Sequence, residues 1–246
     1  MSSLFLREFP TVPAVGDSLT LTGPEAKHAV TVNRVRVGEE LFLGDGKGIM
    51  VACTVTAVSP RELVAEATAV TLSEPDRPRL YLVQALAKGD RDEMAVQAAT
   101  ELGVAGVIPW AAERSISRWQ GDKVAKGRAR WETISREAAK QSIRAHLPEV
   151  REIVDLTRLC ELTQEFEMLV LDPTAEVALT TYLVNHSEHT RPIALVIGPE
   201  GGISPRELAL LDSAGARRVV LGNTILRTST AGPAAMAVIN AALGRW

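Results

Sequence analysis

The chain is 246 residues long, with hydrophobic residues at 46%, charged residues at 23% and a formal net charge of -3, which bounds it to one large domain or two modest ones with a sizeable core. Its two cysteines, Cys53 and Cys160, are too few for a disulfide framework or a cysteine-based zinc site, and no apolar run is long enough to span a bilayer. The stretch Met1-Ser2-Ser3-Leu4-Phe5-Leu6-Arg7-Glu8 lacks the apolar core of a signal peptide, so a cytoplasmic protein without a membrane partner is expected.

The first seventy or so residues read as a small β domain. Pro24-Glu25-Ala26-Lys27-His28-Ala29-Val30 fits a short helix, with the proline early and His28 near its middle. Leu41-Phe42-Leu43, the turn Gly44-Asp45-Gly46-Lys47-Gly48 and residues 49–58 read as a hairpin, and residues 62–71 as a further strand. Ser73-Glu74-Pro75-Asp76-Arg77-Pro78, polar with two prolines, reads as a linker. The expected division is therefore residues 1–72, a linker over 73–78, and residues 79–246.

Beyond the linker, strands alternate with helices. Residues 80–86 form a strand; Asp90-Arg91-Asp92-Glu93 reads as a capping box, and Met94, Ala98 and Leu102 as an apolar ridge on the helix it opens. A short strand over 104–109 precedes a long helix over 122–146, with Trp131, Ile134 and Ala138 on one side and Arg136, Lys140 and Arg144 stacked four apart on another. Residues 168–171, 193–197 and 218–221 are three more strands, and the closing helix spans 233–243. Such alternation implies an α/β fold with a mostly parallel sheet covered on both faces. Charge is uneven: residues 110–151 are rich in Arg and Lys, whereas the stretch from there to about Glu188 is acidic, with Arg158 its only base. A net charge of -3 excludes no nucleic-acid partner, because binding needs a basic patch and not a basic total.

Two late segments carry the most chemistry. Ile197-Gly198-Pro199-Glu200-Gly201-Gly202-Ile203-Ser204 and Leu221-Gly222-Asn223-Thr224-Ile225-Leu226-Arg227-Thr228-Ser229-Thr230-Ala231 each follow an apolar run and open into a helical one. In the first, the glycines remove the Cβ atoms that would keep a ligand or another loop off the backbone. Ser204-Pro205-Arg206-Glu207 then reads as a capping box with proline at the first helical position, opening a helix to about Gly215. Open α/β sheets bind ligands at the carboxyl ends of their strands. Neither G-x-G-x-x-G nor G-x-x-x-x-G-K-[ST] is present, which disfavours a dinucleotide or phosphate cradle. Turn-making alone would explain one such loop more easily than two. Glu200 could bond a ligand hydroxyl, act as a base, or satisfy N–H groups at the next helix. Arg227 could grip phosphate, stack on a base, or form a surface ion pair, and the basic helix could be a solvated face or an RNA contact. His28, His146, His186 and His189 show no metal-ligand spacing, and no metal is expected.

These loops look like the signature of the SPOUT class of S-adenosylmethionine-dependent RNA methyltransferases, and the whole chain resembles the small-subunit ribosomal RNA methyltransferase E family. Further matches follow in order: His28, then Asn33-Arg34-Val35-Arg36-Val37-Gly38-Glu39 and Asp45-Gly46-Lys47-Gly48; Lys88-Gly89-Asp90-Arg91 through Glu101-Leu102-Gly103-Val104; Glu113-Arg114-Ser115; Arg130-Trp131; and Glu137-Ala138-Ala139-Lys140-Gln141-Ser142 with Arg144 and Pro148. The chain departs from the pattern at Asn223-Thr224, at Ser229 and at Lys27.

The resemblance implies a PUA-like β-barrel N-terminal domain that binds RNA, and a C-terminal SPOUT-type trefoil-knotted α/β domain. It also implies S-adenosyl-L-methionine (AdoMet) as cofactor and a homodimer that methylates N3 of one uridine in 16S rRNA, free or in the 30S subunit. Loops after Leu171, Ile197 and Leu221 would form the cofactor pocket, with Gly198, Pro199, Glu200, Gly201, Gly202, Gly222, Asn223, Ile225, Leu226 and Thr230. Uridine N3 carries a proton at neutral pH, so a base or a cationic neighbour is needed; Arg227 or Arg136 would place the acceptor and Glu200 would hold the cofactor loop. The implied RNA contacts are His28, Arg34, Arg36, Lys88, Arg91, Arg114, Arg136, Lys140 and Arg144. Two rival readings are a non-catalytic RNA-binding or ribosome-assembly protein and a SPOUT methyltransferase acting on another RNA.

Overall fold

A computed structural model describes residues 3–186 and 190–246, so His189 lies outside the described residues. The chain forms two compact units, one from Met1–Pro75 with Ala139–Leu147, the other from Asp76–Ala138 with Pro148–Trp246.

The first unit contains β1 (Leu4–Leu6), β2 (Ser18–Thr22), α1 (Gly23–Lys27), β3 (Glu40–Gly44), β4 (Ile49–Ser59) and β5 (Glu62–Leu72). Its five-stranded sheet has the order β1-β3-β4-β5-β2, with only β1 and β3 parallel. Register shifts between Ala52 and Cys53 and between Val55 and Ala57 bend the long β4–β5 ribbon, which wraps a core that includes Phe5, Leu21, Leu41, Leu43 and Leu63. Cys53 lies in that core, and burial pushes its thiol up to about 11; Cys160 is partly exposed. The helix expected over 24–30 stops at Lys27 and continues as a π-helical turn, His28–Val32. His28 therefore sits at a junction, edge-on to Phe5 at 6.3 Å.

The β3–β4 turn receives a distant piece of chain. Gly48 N donates to the Ala145 carbonyl (3.1 Å), and Leu147 N donates to the Gly46 carbonyl (2.9 Å). Gly48 has a φ of 123°, and a Cβ there would stand 2.6 Å from the Ser73 carbonyl oxygen, so only glycine fits.

The second unit holds β6 (Leu80–Ala85), α2 (Arg91–Glu101), β7 (Gly106–Trp110), α3 (Asp122–Gln141, its last three residues counted with the first unit), β8 (Glu149–Val150), α4 (Leu156–Glu161), β9 (Glu167–Leu171), α5 (Leu179–Asn185), β10 (Ile193–Ile197), α6 (Pro205–Ala214), β11 (Arg217–Val219) and α7 (Thr228–Ala242). The sheet is parallel throughout, in the order β11-β9-β10-β6-β7-β8. Strand periodicity sorts its side chains. Leu80 and Leu82 of β6 and Ile193, Leu195 and Ile197 of β10 pack on one face with Ala95, Val96 and Ala99 of α2 and Ala235, Met236 and Ile239 of α7. Tyr81, Val83, Ala194 and Val196 pack on the other with Leu159 of α4 and Leu211 of α6. Both faces are thus covered, which lets the central strands be apolar throughout.

Five local expectations are corrected. Asp90 precedes α2 without a side-chain cap; the buried Asp92 instead accepts from Ala87 N (3.1 Å) and Glu93 N (2.8 Å). Met94 is exposed, and the buried face of α2 runs through Ala95, Val96 and Ala99, whose small side chains admit α7 closely. Helix α3 ends at Gln141, five residues early, because Ile143 adopts the left-handed region at φ 54°. Arg144 therefore lies beyond the helix, while Lys140 is turned inward, its side chain 7% exposed and its Nζ 3.3 Å from a Glu25 carboxylate oxygen. The expected basic row on one helix face does not exist. Finally, α7 begins at Thr228 and carries Pro233 in its second turn, where the proline removes a single intrahelical N–H. Among the described residues no helix is long and apolar enough to cross a membrane, and no group of three or more His, Cys, Asp or Glu could hold a metal.

Candidate active site

Strands β11, β9 and β10 are neighbours, and the loops at their carboxyl ends enclose a cavity of about 340 Å³ within the second unit. That volume lies within the usual range for small-molecule sites. Leu171, Asp172 and Pro173 come from the end of β9, residues 197–200 with Gly202 and Ile203 from the loop after β10, and residues 220–222 with 224–228 from the loop after β11; Ala231 of α7 and Arg91 of α2 complete the wall. Gly222 has open space where a Cβ would stand, so the third loop presents bare backbone there.

Each loop is tied down. Asp172, 5% exposed, accepts from Arg218 Nε (2.8 Å), from Thr174 N (2.9 Å) and from the Thr174 hydroxyl. In the second loop, Glu200 accepts from Arg91 Nη1 (2.8 Å) and Lys88 N (3.1 Å). Burial pushes the Glu200 carboxyl up, but hydrogen bonds from its own N–H, from Arg91 and from Lys88 outweigh it and hold the group below the usual glutamate range. Arg114 Nη1 donates to the Gly201 carbonyl (3.0 Å). The capping box of α6 is complete: Ser204 N donates to Glu207 Oε2 (2.8 Å) and Glu207 N to Ser204 Oγ (3.1 Å). Glu207 also accepts from Glu113 N, and Ser204 Oγ donates to Glu113 Oε2 (2.6 Å). That hydroxyl and the neighbouring Arg206 hold the exposed Glu113 carboxyl below its usual range. The second and third loops are joined by Thr228 Oγ1, which donates to the Gly198 carbonyl (2.8 Å).

Residues 74–240 match the RNA methyltransferase domain family, and residues 21–68 match the RNA methyltransferase PUA domain family. The ribosomal RNA small subunit methyltransferase E of Mycobacterium bovis is 39% identical over 96% of this chain and 91% of its own length. This chain belongs to the ribosomal RNA small subunit methyltransferase E family. Two solved members of the same fold bear on the cavity. The Neisseria gonorrhoeae methyltransferase E, solved bound to S-adenosyl methionine, superposes with a TM-score of 0.84 at 29% identity, covering 98% of both chains. A Legionella pneumophila protein, solved with the bound cofactor SAM, gives a TM-score of 0.84 at 30% identity over 98% of both chains.

Within this methyltransferase E chain, the cavity gathers most of the expected cofactor residues: Leu171, Ile197, Gly198, Pro199, Glu200, Gly202, Leu221, Gly222, Ile225 and Leu226 line it. Gly201, Asn223 and Thr230 do not; an added Cβ at Gly201 would stand 3.1 Å from Arg114 Cβ. Sequence reasoning missed Asp172, Thr224 and Thr228. Asp172 carried one usable signal, an acidic residue directly after a buried strand. Arg227 lines the cavity, whereas Arg136 lies on α3 and does not. Of the expected RNA contacts in the second unit, Lys88, Arg91 and Arg114 all hold the loop after β10. In the first unit Arg34 and Arg36 are exposed, His28 and Arg144 are half-buried, and Lys140 is committed to Glu25.

Proposed function

We propose that the cavity binds AdoMet and that the chain transfers its methyl group to N3 of a uridine in 16S rRNA, acting in the cytoplasm as a homodimer with the knotted C-terminal end of its class. The observation that carries this reading is the meeting of three tethered loops at the ends of adjacent parallel strands, with a glycine backbone bared to the cavity at Gly222. The cofactor named for the Neisseria and Legionella structures supports it. When bound, AdoMet supplies an activated methyl group on a sulfonium centre. The chain's own part is placement and exclusion of water. Arg227, exposed on the wall and without an ion-pair partner among the described residues, is positioned to stabilise charge on a deprotonated acceptor. Glu200 is a weak proton acceptor, since its carboxyl is held acidic, and serves as the tether of its loop. Arg34 and Arg36 offer exposed cations for RNA phosphates on the first unit, a contribution that salt would weaken.

Calorimetric titration with AdoMet, followed by transfer of labelled methyl groups to naked 16S rRNA and to 30S particles in parallel, tests the reading. Saturable binding and one methylated uridine are expected. Absence of binding, or binding without transfer to either RNA, would return the chain to the class of RNA-binding or assembly proteins.

A further inference from the structure

Gln84 is a polar residue where the sheet calls for an apolar one. It lies on β6, is 0% exposed, and pairs in register with Ile197, the last residue of β10. Its Nε2 donates to the Thr228 hydroxyl (2.9 Å) and to the Ala85 carbonyl (3.0 Å), while its Oε1 has no partner among the described residues. A buried acceptor without a partner gives up its hydrogen bonds to water with nothing in return, so the fold retains Gln84 at a loss that Met or Leu would avoid. Thr228, 6% exposed, relays the interaction: it accepts from Gln84 and donates its own O–H to the Gly198 carbonyl. The chain Gln84 Nε2–H to Thr228 Oγ–H to Gly198 C=O thus runs from the sheet interior, through the first residue of α7, to the first residue of the loop after β10. Gly198 and Thr228 both line the cavity, on different loops. The relay also fixes the direction of each bond. With Gln84 donating, the threonine hydroxyl hydrogen is free only for Gly198.

We propose that Gln84 and Thr228 are positioning residues of the cofactor cavity, setting the spacing of its second and third loops through the Gly198 carbonyl. The inference rests on the reading of the cavity as an AdoMet site. It separates a functional role from a structural one, because the two predict opposite signs at Gln84. Replacement by Met, close in shape and apolar, removes the orphaned oxygen together with the donor, so fold stability holds or rises while the loops lose their common anchor.

The test is calorimetric AdoMet affinity beside the thermal unfolding midpoint of the apo-protein, for wild type, Gln84→Met, Thr228→Val and Thr228→Ser. Wild-type binding is the control: its absence sinks the cofactor reading itself. Given that binding, Gln84→Met and Thr228→Val should each weaken AdoMet about fivefold or more, the scale of one lost hydrogen bond. Gln84→Met should keep or raise the midpoint, and Thr228→Ser, which retains the hydroxyl, should bind within about twofold of wild type. Wild-type affinity in Gln84→Met overturns the proposal, as does equal weakening in Thr228→Val and Thr228→Ser. Should Thr228→Val fail to fold, Gln84→Met alone decides.

Discussion

Arg227 and Glu200 share one cavity wall and are built for different work. Arg227 is exposed with no ion pair among the described residues, so its truncation strands no buried charge. Arg227→Ala should change stability by less than about 0.5 kcal/mol while lowering methyl transfer at least about tenfold, measured with labelled AdoMet and rRNA; normal turnover would remove Arg227 from the mechanism. Glu200 is held below the ordinary glutamate range, so its contribution is fully present above about pH 4.3 and is lost as pH falls through the depressed value. Arg91 is one of the groups that lower it. In Arg91→Ala the acid-side loss of AdoMet binding should therefore begin at a higher pH, as titrations between neutral pH and roughly pH 4 would reveal. An acid limb identical to wild type would show that Arg91 does not govern the clamp. At this scale the sequence was only partly readable: glycines announce themselves, whereas a glutamine in an apolar strand or a threonine at a helix start carries no local sign of its partner across the fold.

Elements whose ends are written in adjacent residues were the legible ones. β10 is five consecutive buried apolar residues, and α6 opens on a complete capping box and closes on Gly215 in the left-handed region. The loop between β10 and α6 could accordingly be placed, and with it one wall of the cavity. α7 was misplaced because Pro233 resembles a helix start, while the true start at Thr228 lacks a side-chain cap from Arg227. The end of α3 was missed because it depends on Ile143 entering the left-handed region, which an isoleucine gives no reason to expect. Small residues make α7 sensitive to added volume. A Cβ at Gly232 would stand 2.9 Å from Leu82 Cδ1, so Gly232→Ala should destabilise the fold by about 1–3 kcal/mol through overpacking, partly offset by helix propensity. Denaturant unfolding measures this, and an unchanged midpoint would mean that Leu82 moves aside freely.

For the whole molecule, the two units predict a divided response to cofactor. All residues lining the cavity belong to the second unit, so AdoMet at a hundredfold excess over its dissociation constant should stabilise that unit by about 2.7 kcal/mol. Amide exchange should slow around residues 171–173, 197–203 and 220–228. Equal slowing throughout β3, β4 and β5 would contradict the confinement of the site to one unit. The return of residues 139–147 to the first unit has a separate consequence, for heredity as much as for the bench. A gene fragment ending at Pro75 would omit the partners of Gly46 and Gly48 in the β3–β4 turn, leaving an amide and a carbonyl to water and a glycine cradle empty. Such a fragment should unfold at lower denaturant than the same strands do in the intact chain. A module that needs two separated stretches of message cannot be moved by one crossover, so this N-terminal unit is bound to travel with the domain whose sequence encloses its missing piece.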